Sequence, residues 1–380
     1  MKLKGINLGS WLLMEGYILG GRNIAESIFK QNFKKANGAA ALCEFERLFR
    51  DNFIKEEDFK NIAQMGANCI RLPFNYRLIV NNHLDGLMYL KKAFNFANKY
   101  SLGIILDLHA APGAQNCDWH SDSSGRAMFW EKEKFRKEAL NIWDELVSKF
   151  KDEPSLIGFD IINEPVLEEK STDILAEFYK EAIKRIKAID KKHTIFLEGS
   201  LWAQRIDFLK DLIEENVSIS IHTYQPLDFT FNFVPFYKFP GKISNEQWDK
   251  EKLEKYLEPY FLFSKNNKVP IFVGEFGINW RGGFWGELNW LENILETFDK
   301  FGFSYTYWTY KAVSGYVSPD GLYQYIQNSK YVMREGPVYG WENYITNFKK
   351  EKNKIVDFWQ TKNFTPNNTI ISKLKEHFKK

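Results

Sequence analysis

Residues 156–165, Leu-Ile-Gly-Phe-Asp-Ile-Ile-Asn-Glu-Pro, make a short apolar run that closes on an amide, a carboxylate and a proline. A run of this length, bounded by turn signals, reads as a buried strand whose polar end marks where the chain leaves the sheet. On either side lie segments of helical spacing, 131–150 and 173–190. Working outward, the same strand and helix alternate along the chain. Strands are expected at 4–7, 67–74, 102–109, 156–164, 194–198, 217–224, 270–275 and 303–308, and helices at 56–65, 87–100, 131–150, 173–190, 202–216, 245–266, 286–301 and 369–378. Such alternation signals a parallel sheet covered by helices. Eight pairs favour an α/β fold closed into a (β/α)8 barrel over an open doubly wound sheet, whose strands are usually fewer. No repeat or flexible linker interrupts the series, so residues 1–380 are expected to form one domain, with long loops at about 8–52, 226–244 and 311–345. The alternative is an open sheet with insertions.

Composition narrows the function. Fifty-two Lys and Arg against forty-nine Asp and Glu leave a net charge of +3, too small at this length to imply a nucleic acid partner. There is no apolar stretch near 18 residues, which argues against a membrane span. The N-terminus lacks the charged, apolar and small-residue regions of a secretory leader, so a cytoplasmic location is expected. Cys43, Cys69 and Cys117 are odd in number and lack metal-like spacing, and read as free thiols. Aromatic residues reach 17%, more than a core needs, and invite a search for stacking surfaces.

The ends of the expected strands carry the chemistry. Strand two ends on Arg71-Leu-Pro-Phe, strand three on Asp107-Leu-His109, strand four on Asn163-Glu164-Pro165, strand six on His222-Thr-Tyr224, strand seven on Gly274-Glu275 and strand eight on Tyr307-Trp308. In a barrel enzyme these ends gather at one mouth, where the active site lies. Taken singly, each residue is more often salt-bridged or capped than catalytic; their convergence is what points to a site. Glu164 and Glu275 follow strands four and seven, on opposite sides of an eight-stranded barrel, so their carboxylates are expected to face each other. Glycoside hydrolysis requires such a pair: one carboxylic acid protonates the departing oxygen and the other carboxylate attacks, a separation of roughly 5–5.5 Å selecting retention. Repulsion between the two is expected to raise the pKa of Glu164, the acid, and leave Glu275 as nucleophile, supported by Arg71 and Tyr224. Asn163 suits a sugar 2-hydroxyl, His109 and His222 suit other hydroxyls or the carboxylates, and Trp308 suits the apolar face of a pyranose. A metal site is disfavoured because no HExxH or Cys/His spacing is present.

This ordered set of Arg, His, Asn-Glu-Pro, His-x-Tyr, Glu and Trp resembles glycoside hydrolase family 5 along nearly the whole chain. The resemblance implies a (β/α)8 barrel, retention of configuration and no cofactor, with Glu164 and Glu275 as acid/base and nucleophile. It also gives Arg71, His109, Asn163, His222, Tyr224 and Trp308 substrate and support roles. Within the family, Gly5-Ile-Asn-Leu-Gly-Ser-Trp-Leu-Leu-Met-Glu15 and Leu106-Asp-Leu-His-Ala-Ala-Pro-Gly-Ala-Gln-Asn116 are similar to the exo-β-1,3-glucanase branch and its β-glucosidase relatives, which implies that Glu15 holds the non-reducing-end sugar. Phe276 and Ser123-Ser124-Gly125 depart from that branch, which usually has Trp and Asn-Ser-Gly there. The expected substrate is thus a β-linked gluco-oligosaccharide cleaved from one end, β-1,3 linkages preferred by resemblance. The alternatives are an endo-β-1,4-glucanase, a mannan-active enzyme, or a catalytically silent sugar-binding barrel. The aromatic segment 229–239 is expected either to supply outer sugar subsites or to pack on the rim.

Overall fold

The computed structural model of the chain describes residues 2–80, 86–326 and 341–379. Eight parallel strands close into a barrel: β1 Lys4–Asn7, β2 Cys69–Asn75, β3 Gly103–Ala110, β4 Leu156–Asp160, β5 Thr194–Glu198, β6 Val217–His222, β7 Ile271–Phe276 and β8 Ser304–Tyr307. Each pairs with its sequence neighbours, and β1 closes the ring against β8 through Lys4–Tyr305 and Ile6–Tyr307. Every expected strand is present within a few residues of its expected bounds. Side chains on a strand alternate between faces, and this alternation divides the barrel interior into layers. Near its base Ile105 of β3, Phe196 of β5 and Phe272 of β7 form a separate apolar cluster, with the two Phe rings 4.9 Å apart. Two residues further along the same strands stand Asp107, Glu198 and Gly274. The interior therefore changes from hydrocarbon to charge toward the strand ends.

The outer helices follow the expected pattern, apart from the unexpected helix Trp341–Phe358, which begins within the expected loop 311–345, and the corrections that follow. The segment 202–216 is not a helix of ordinary pitch. Leu201, Trp202 and Ala203 take left-handed backbone angles, φ +53 to +60°, and a 3₁₀ helix follows at Asp207–Leu212. The buried residues Ile206, Leu209 and Leu212 recur every third position, which is the 3₁₀ period rather than 3.6. The second correction concerns 8–52. It is not a loop, because it holds the helices Glu26–Asn37 and Ala39–Asn52. Phe29 and Phe33 on one and Phe45 and Phe49 on the other are spaced four apart, one helical face each. They pack on Trp341, Tyr344 and Phe348 of the helix Trp341–Phe358 and on Trp359 beyond it. The helix expected from 245 starts later, at Lys250, because Asp249 caps it by accepting from the main-chain N–H of Lys252 at 2.9 Å. Part of the expected loop 311–345 lies outside the described residues. Among the described residues no helix is long and apolar enough to cross a membrane.

Candidate active site

Arg71 organises the charged layer. Fully buried, it spends its five N–H donors on Nε to Asp160 (2.8 Å), Nη1 to Glu275 (2.8 Å) and Asn7 (3.3 Å), and Nη2 to Asn163 (2.9 Å) and Glu198 (3.0 Å), with Asp107 3.1 Å from Nη2. Four carboxylates around one guanidinium carry an excess of negative charge. Burial, reinforced by Glu198 and Asp107, pushes Asp160 well above the usual carboxylate range, although Arg71 opposes it. Strands β1, β3, β4, β5 and β7 thus each deliver a partner to the guanidinium that β2 carries, and Arg71 in turn fixes those strand ends relative to one another.

Above this layer the two sequence-predicted glutamates face each other, and one oxygen of each, with a ring nitrogen of His222, falls within 4.8 Å of the other two. Glu275 accepts from Arg71 at Oε1 and from the Tyr224 hydroxyl at Oε2 (2.8 Å). Burial and then Glu275 itself hold the Tyr224 phenol well above its ordinary value, so it stays a donor. His222 Nδ1 lies 2.7 Å from Glu164 Oε1 and 3.7 Å from Glu275 Oε2. A Cβ at Gly274 would come within 2.8 Å of His222 Nε2, so the glycine leaves room for the imidazole. Both oxygens of Glu275 and the Nδ1 of His222 are thereby engaged in hydrogen bonds, and this donor set is organised for proton transfer rather than for a cation.

The electrostatics of Glu164 differ from the expectation of a raised pKa. Burial pushes the carboxyl up, but the bond from His222 and the charge of His222, His120 and His109 reverse this and hold it at about 2. His222 is correspondingly raised well above 6.5: burial lowers it, and Glu198, Glu275 and the bonds to Glu164 and Glu198 outweigh that. The contact thus favours the charged form of both partners, a carboxylate at Glu164 and a protonated ring at His222. Repulsion between two carboxylates is weaker here than the attraction of an imidazolium at hydrogen-bond distance.

A pocket of about 420 Å³ opens over the pair, within the size range of small-ligand sites. Its walls come from the loops after five strands: Glu15 and Tyr17, His120, Trp202, Phe231 and Phe233, and Pro319. Of the predicted residues, Glu15, His109, Glu164, His222, Tyr224, Glu275 and Trp308 line it, whereas Arg71 and Asn163 lie fully buried beneath. Trp308 stacks on His109, with centroids 5.4 Å apart and planes 11° off parallel, and donates Nε1–H to the Tyr17 hydroxyl. His109 in turn is oriented by Asp107 at 2.7 Å. Glu15 is 2% exposed and its Oε1 has no hydrogen-bond partner among the described residues. Burial raises its carboxyl well above the usual range; His120 opposes, and Glu275, Glu164 and Asp107 add to it. A neutral carboxyl both donates and accepts, which suits a hydroxyl-rich ligand.

Several residues of the site escaped the sequence reading, Tyr17 of the pocket wall among them. His120 lies 3.4 Å from Glu164 Oε2; burial lowers its pKa, but Asp118, Glu164 and Glu15 outweigh it and raise it to about 9. Glu198 and Asp160 end strands five and four and were as visible there as Asp107 on strand three. Trp202 donates Nε1–H to Asp118 at 2.7 Å, but sat inside a segment read as a helix. The 106–116 motif proves to be scaffolding for the site. Gln115 donates to the carbonyls of His109 and Asn163, both at 2.7 Å, and Asn116 donates to the carbonyl of Glu164 at 2.9 Å. The aromatic segment after β6 divides between its two readings: Phe231 and Phe233 line the pocket, while Phe229 and Phe239 are core. Phe276 is buried against Phe298, Tyr305 and Tyr307, away from the pocket.

An opposed carboxylate pair at the C-terminal mouth of a (β/α)8 barrel is the arrangement of a glycoside hydrolase, and the comparisons with known proteins agree. The chain belongs to glycosyl hydrolase family 5: the cellulase model of that family matches residues 30–314. It is similar to a beta-xylosidase of Phanerodontia chrysosporium, 27% identical over 94% of this chain and 74% of the relative. It is also similar to endoglucanase C of Acetivibrio thermocellus, 26% identical over 70% and 87%. A solved structure described as a glycoside hydrolase shares the fold with a TM-score of 0.63 at 18% identity, covering 91% of this chain and 99% of that one. The protein is thus a glycoside hydrolase, and its relatives include a protein named as a beta-xylosidase and one named as an endoglucanase.

Proposed function

We propose that this glycoside hydrolase is a retaining, exo-acting β-glycosidase that releases the terminal sugar of β-linked gluco-oligosaccharides, the whole chain serving as one catalytic domain. The observation that carries the chemistry is that one oxygen of Glu164 lies within 4.8 Å of one oxygen of Glu275. That leaves no room for the intervening water of an inverting enzyme and matches double displacement. Glu275, aimed by Arg71 and Tyr224, attacks the anomeric carbon while its bond to the leaving oxygen breaks. The one proton shared by His222 and Glu164 passes through Glu164 to that oxygen, so the departing sugar leaves as a neutral alcohol. Water then attacks the glycosyl–Glu275 ester, its proton returns to the Glu164–His222 pair, and Glu275 is released.

Exo action is supported by Glu15, which lines the pocket beside Tyr17, has no hydrogen-bond partner for Oε1 among the described residues, and suits the hydroxyls of a terminal sugar. Trp308, held by its stacking on His109, lines the same pocket and supplies an aromatic surface for that sugar. The test is digestion of reducing-end-labelled β-1,3- and β-1,4-linked hexasaccharides of glucose, mannose and xylose. Early products one residue shorter, with free monosaccharide, are expected from the gluco series. Labelled di- and trisaccharides as the first products would overturn exo action in favour of an endoglucanase, and preference for another sugar would overturn the substrate.

A further inference from the structure

Glu198 has no part in the reaction described above, yet it touches both halves of the site. It is fully buried at the end of β5. Its Oε2 accepts from the main-chain N–H of Glu164 at 2.6 Å. Its Oε1 accepts from Arg71 Nη2 at 3.0 Å and forms an ion pair with His222 Nε2 at 3.2 Å. The first contact has a backbone consequence. Glu164 sits at φ +47°, a region that L-residues enter only when their surroundings hold them there. Glu198 grips the N–H of that residue and Asn116 its carbonyl, so the strained turn that aims the Glu164 side chain is clamped on both sides.

The second contact concerns the proton. His222 has Glu164 at Nδ1, Glu198 at Nε2 and Glu275 3.7 Å from Nδ1. An anion at each ring nitrogen favours the doubly protonated ring. Nε2 faces Glu198 Oε1 at ion-pair distance without hydrogen-bond geometry, and Nδ1 is the ring nitrogen that bonds Glu164. The remaining charged and titratable neighbours are accounted for. Arg71 and Asp160 adjoin Glu198, the Tyr179 hydroxyl donates to its carbonyl, and His120 faces the other oxygen of Glu164.

From this geometry, and resting on the acid/base role given above to Glu164, we propose that Glu198 is a positioning residue that both aims the acid/base and keeps its proton in reserve on His222. Carboxylate, imidazolium and carboxylate form a line in which Glu198 never touches substrate. Its removal is felt by the proton-transfer step and spared by reactions that need no proton.

Glu198→Gln separates the two roles, because the amide oxygen still accepts the Glu164 N–H while the negative charge is gone. Two measurements decide. In the first, histidine-labelled wild type and variant are titrated by NMR without substrate, His222 being assigned through His222→Asn. The wild type is expected to keep His222 doubly protonated through pH 8, and the variant to lose that proton at a pH lower by about one unit or more. A neutral His222 at pH 7 in the wild type, or equal titration in both proteins, would overturn the proposal. In the second, kcat/KM is followed against pH for dinitrophenyl and phenyl β-glucosides. The variant should lose roughly 10- to 100-fold on the phenyl substrate with an earlier alkaline limb, and little on the dinitrophenyl substrate. Equal losses on both with an unmoved profile would reduce Glu198 to scaffolding. Glu198→Asp, which keeps the charge on a shorter stem, should recover the alkaline limb more than the rate. If Glu198→Gln fails to fold, the wild-type titration and the aspartate variant still decide. If the wild type cleaves no glucoside, the proposed substrate fails while the NMR arm still judges Glu198.

Discussion

The two facing glutamates differ less in position than in what holds them. Glu275 is held by a guanidinium and a phenol, Arg71 and Tyr224, neither of which exchanges a proton near neutrality. Glu164 is held by two imidazoles, His222 at 2.7 Å and His120 at 3.4 Å, and imidazole is the side chain that does exchange there. A carboxylate that must attack carbon benefits from permanent donors that fix its direction. A carboxyl that must give and regain a proton in each cycle benefits from partners that can store it. The asymmetry of roles proposed for the pair is therefore written most plainly in their neighbours.

The sharpest way to break this comparison is to remove each glutamate. Glu275→Ala is expected to lose turnover by on the order of 10⁴- to 10⁶-fold, with azide restoring a glycosyl azide of inverted configuration; no azide product from a folded variant would contradict the nucleophile assignment. Glu164→Ala is expected to lose roughly 10²- to 10⁴-fold on substrates with poor leaving groups and far less on the first step with dinitrophenyl glucoside, which burst kinetics would read. Arg71→Met addresses stability as well as rate. Stripping the guanidinium shared by Asp107, Asp160, Glu198 and Glu275 should destabilise the fold by about 3–5 kcal/mol, read as a lower denaturant midpoint.

Smaller effects sharpen the imidazole side. His120 is raised from its ordinary 6.5 to about 9, so its stabilising effect is fully present below about pH 6.5 and is lost as pH rises through about 9. The melting temperatures of wild type and His120→Asn should therefore differ most at pH 6 and converge toward pH 10; a constant gap would contradict the assignment. Trp202→Ala should raise KM for oligosaccharides by roughly 2- to 10-fold and leave simple aryl glucosides unaffected, a contrast that steady-state kinetics would show.

Much of this was legible in the sequence, for identifiable reasons. The eight strands announced themselves as apolar runs that stop at polar residues, since the barrel interior itself changes from Ile105, Phe196 and Phe272 to Asp107, Glu198 and Gly274 over two residues. The catalytic candidates were visible because each closes a strand. Failures came where spacing misled or partners were distant in sequence. Ile206, Leu209 and Leu212 fit both a 3₁₀ turn and, loosely, an α-helix, and nothing local tells them apart. The helices within 26–52 had the four-residue Phe spacing of buried faces, but the surface they cover, from Trp341 to Trp359, lies some 300 residues away. The protonation of Glu164 could not be read at all, since it depends on a 2.7 Å contact with His222, 58 residues on. His120 was the avoidable omission: Asp118-Trp119-His120 directly follows the strand-three motif, and charged and aromatic residues in such a loop face the barrel mouth.

The central claim is that Glu164 and Glu275 work as acid/base and nucleophile across one sugar, with retention. Proton NMR of the anomeric signals during the first minutes of oligosaccharide hydrolysis tests it most directly, before mutarotation mixes the products. The account predicts that β-anomeric glucose appears first and the α-anomer grows in later. Initial release of the α-anomer would contradict the double displacement and the roles assigned to both glutamates.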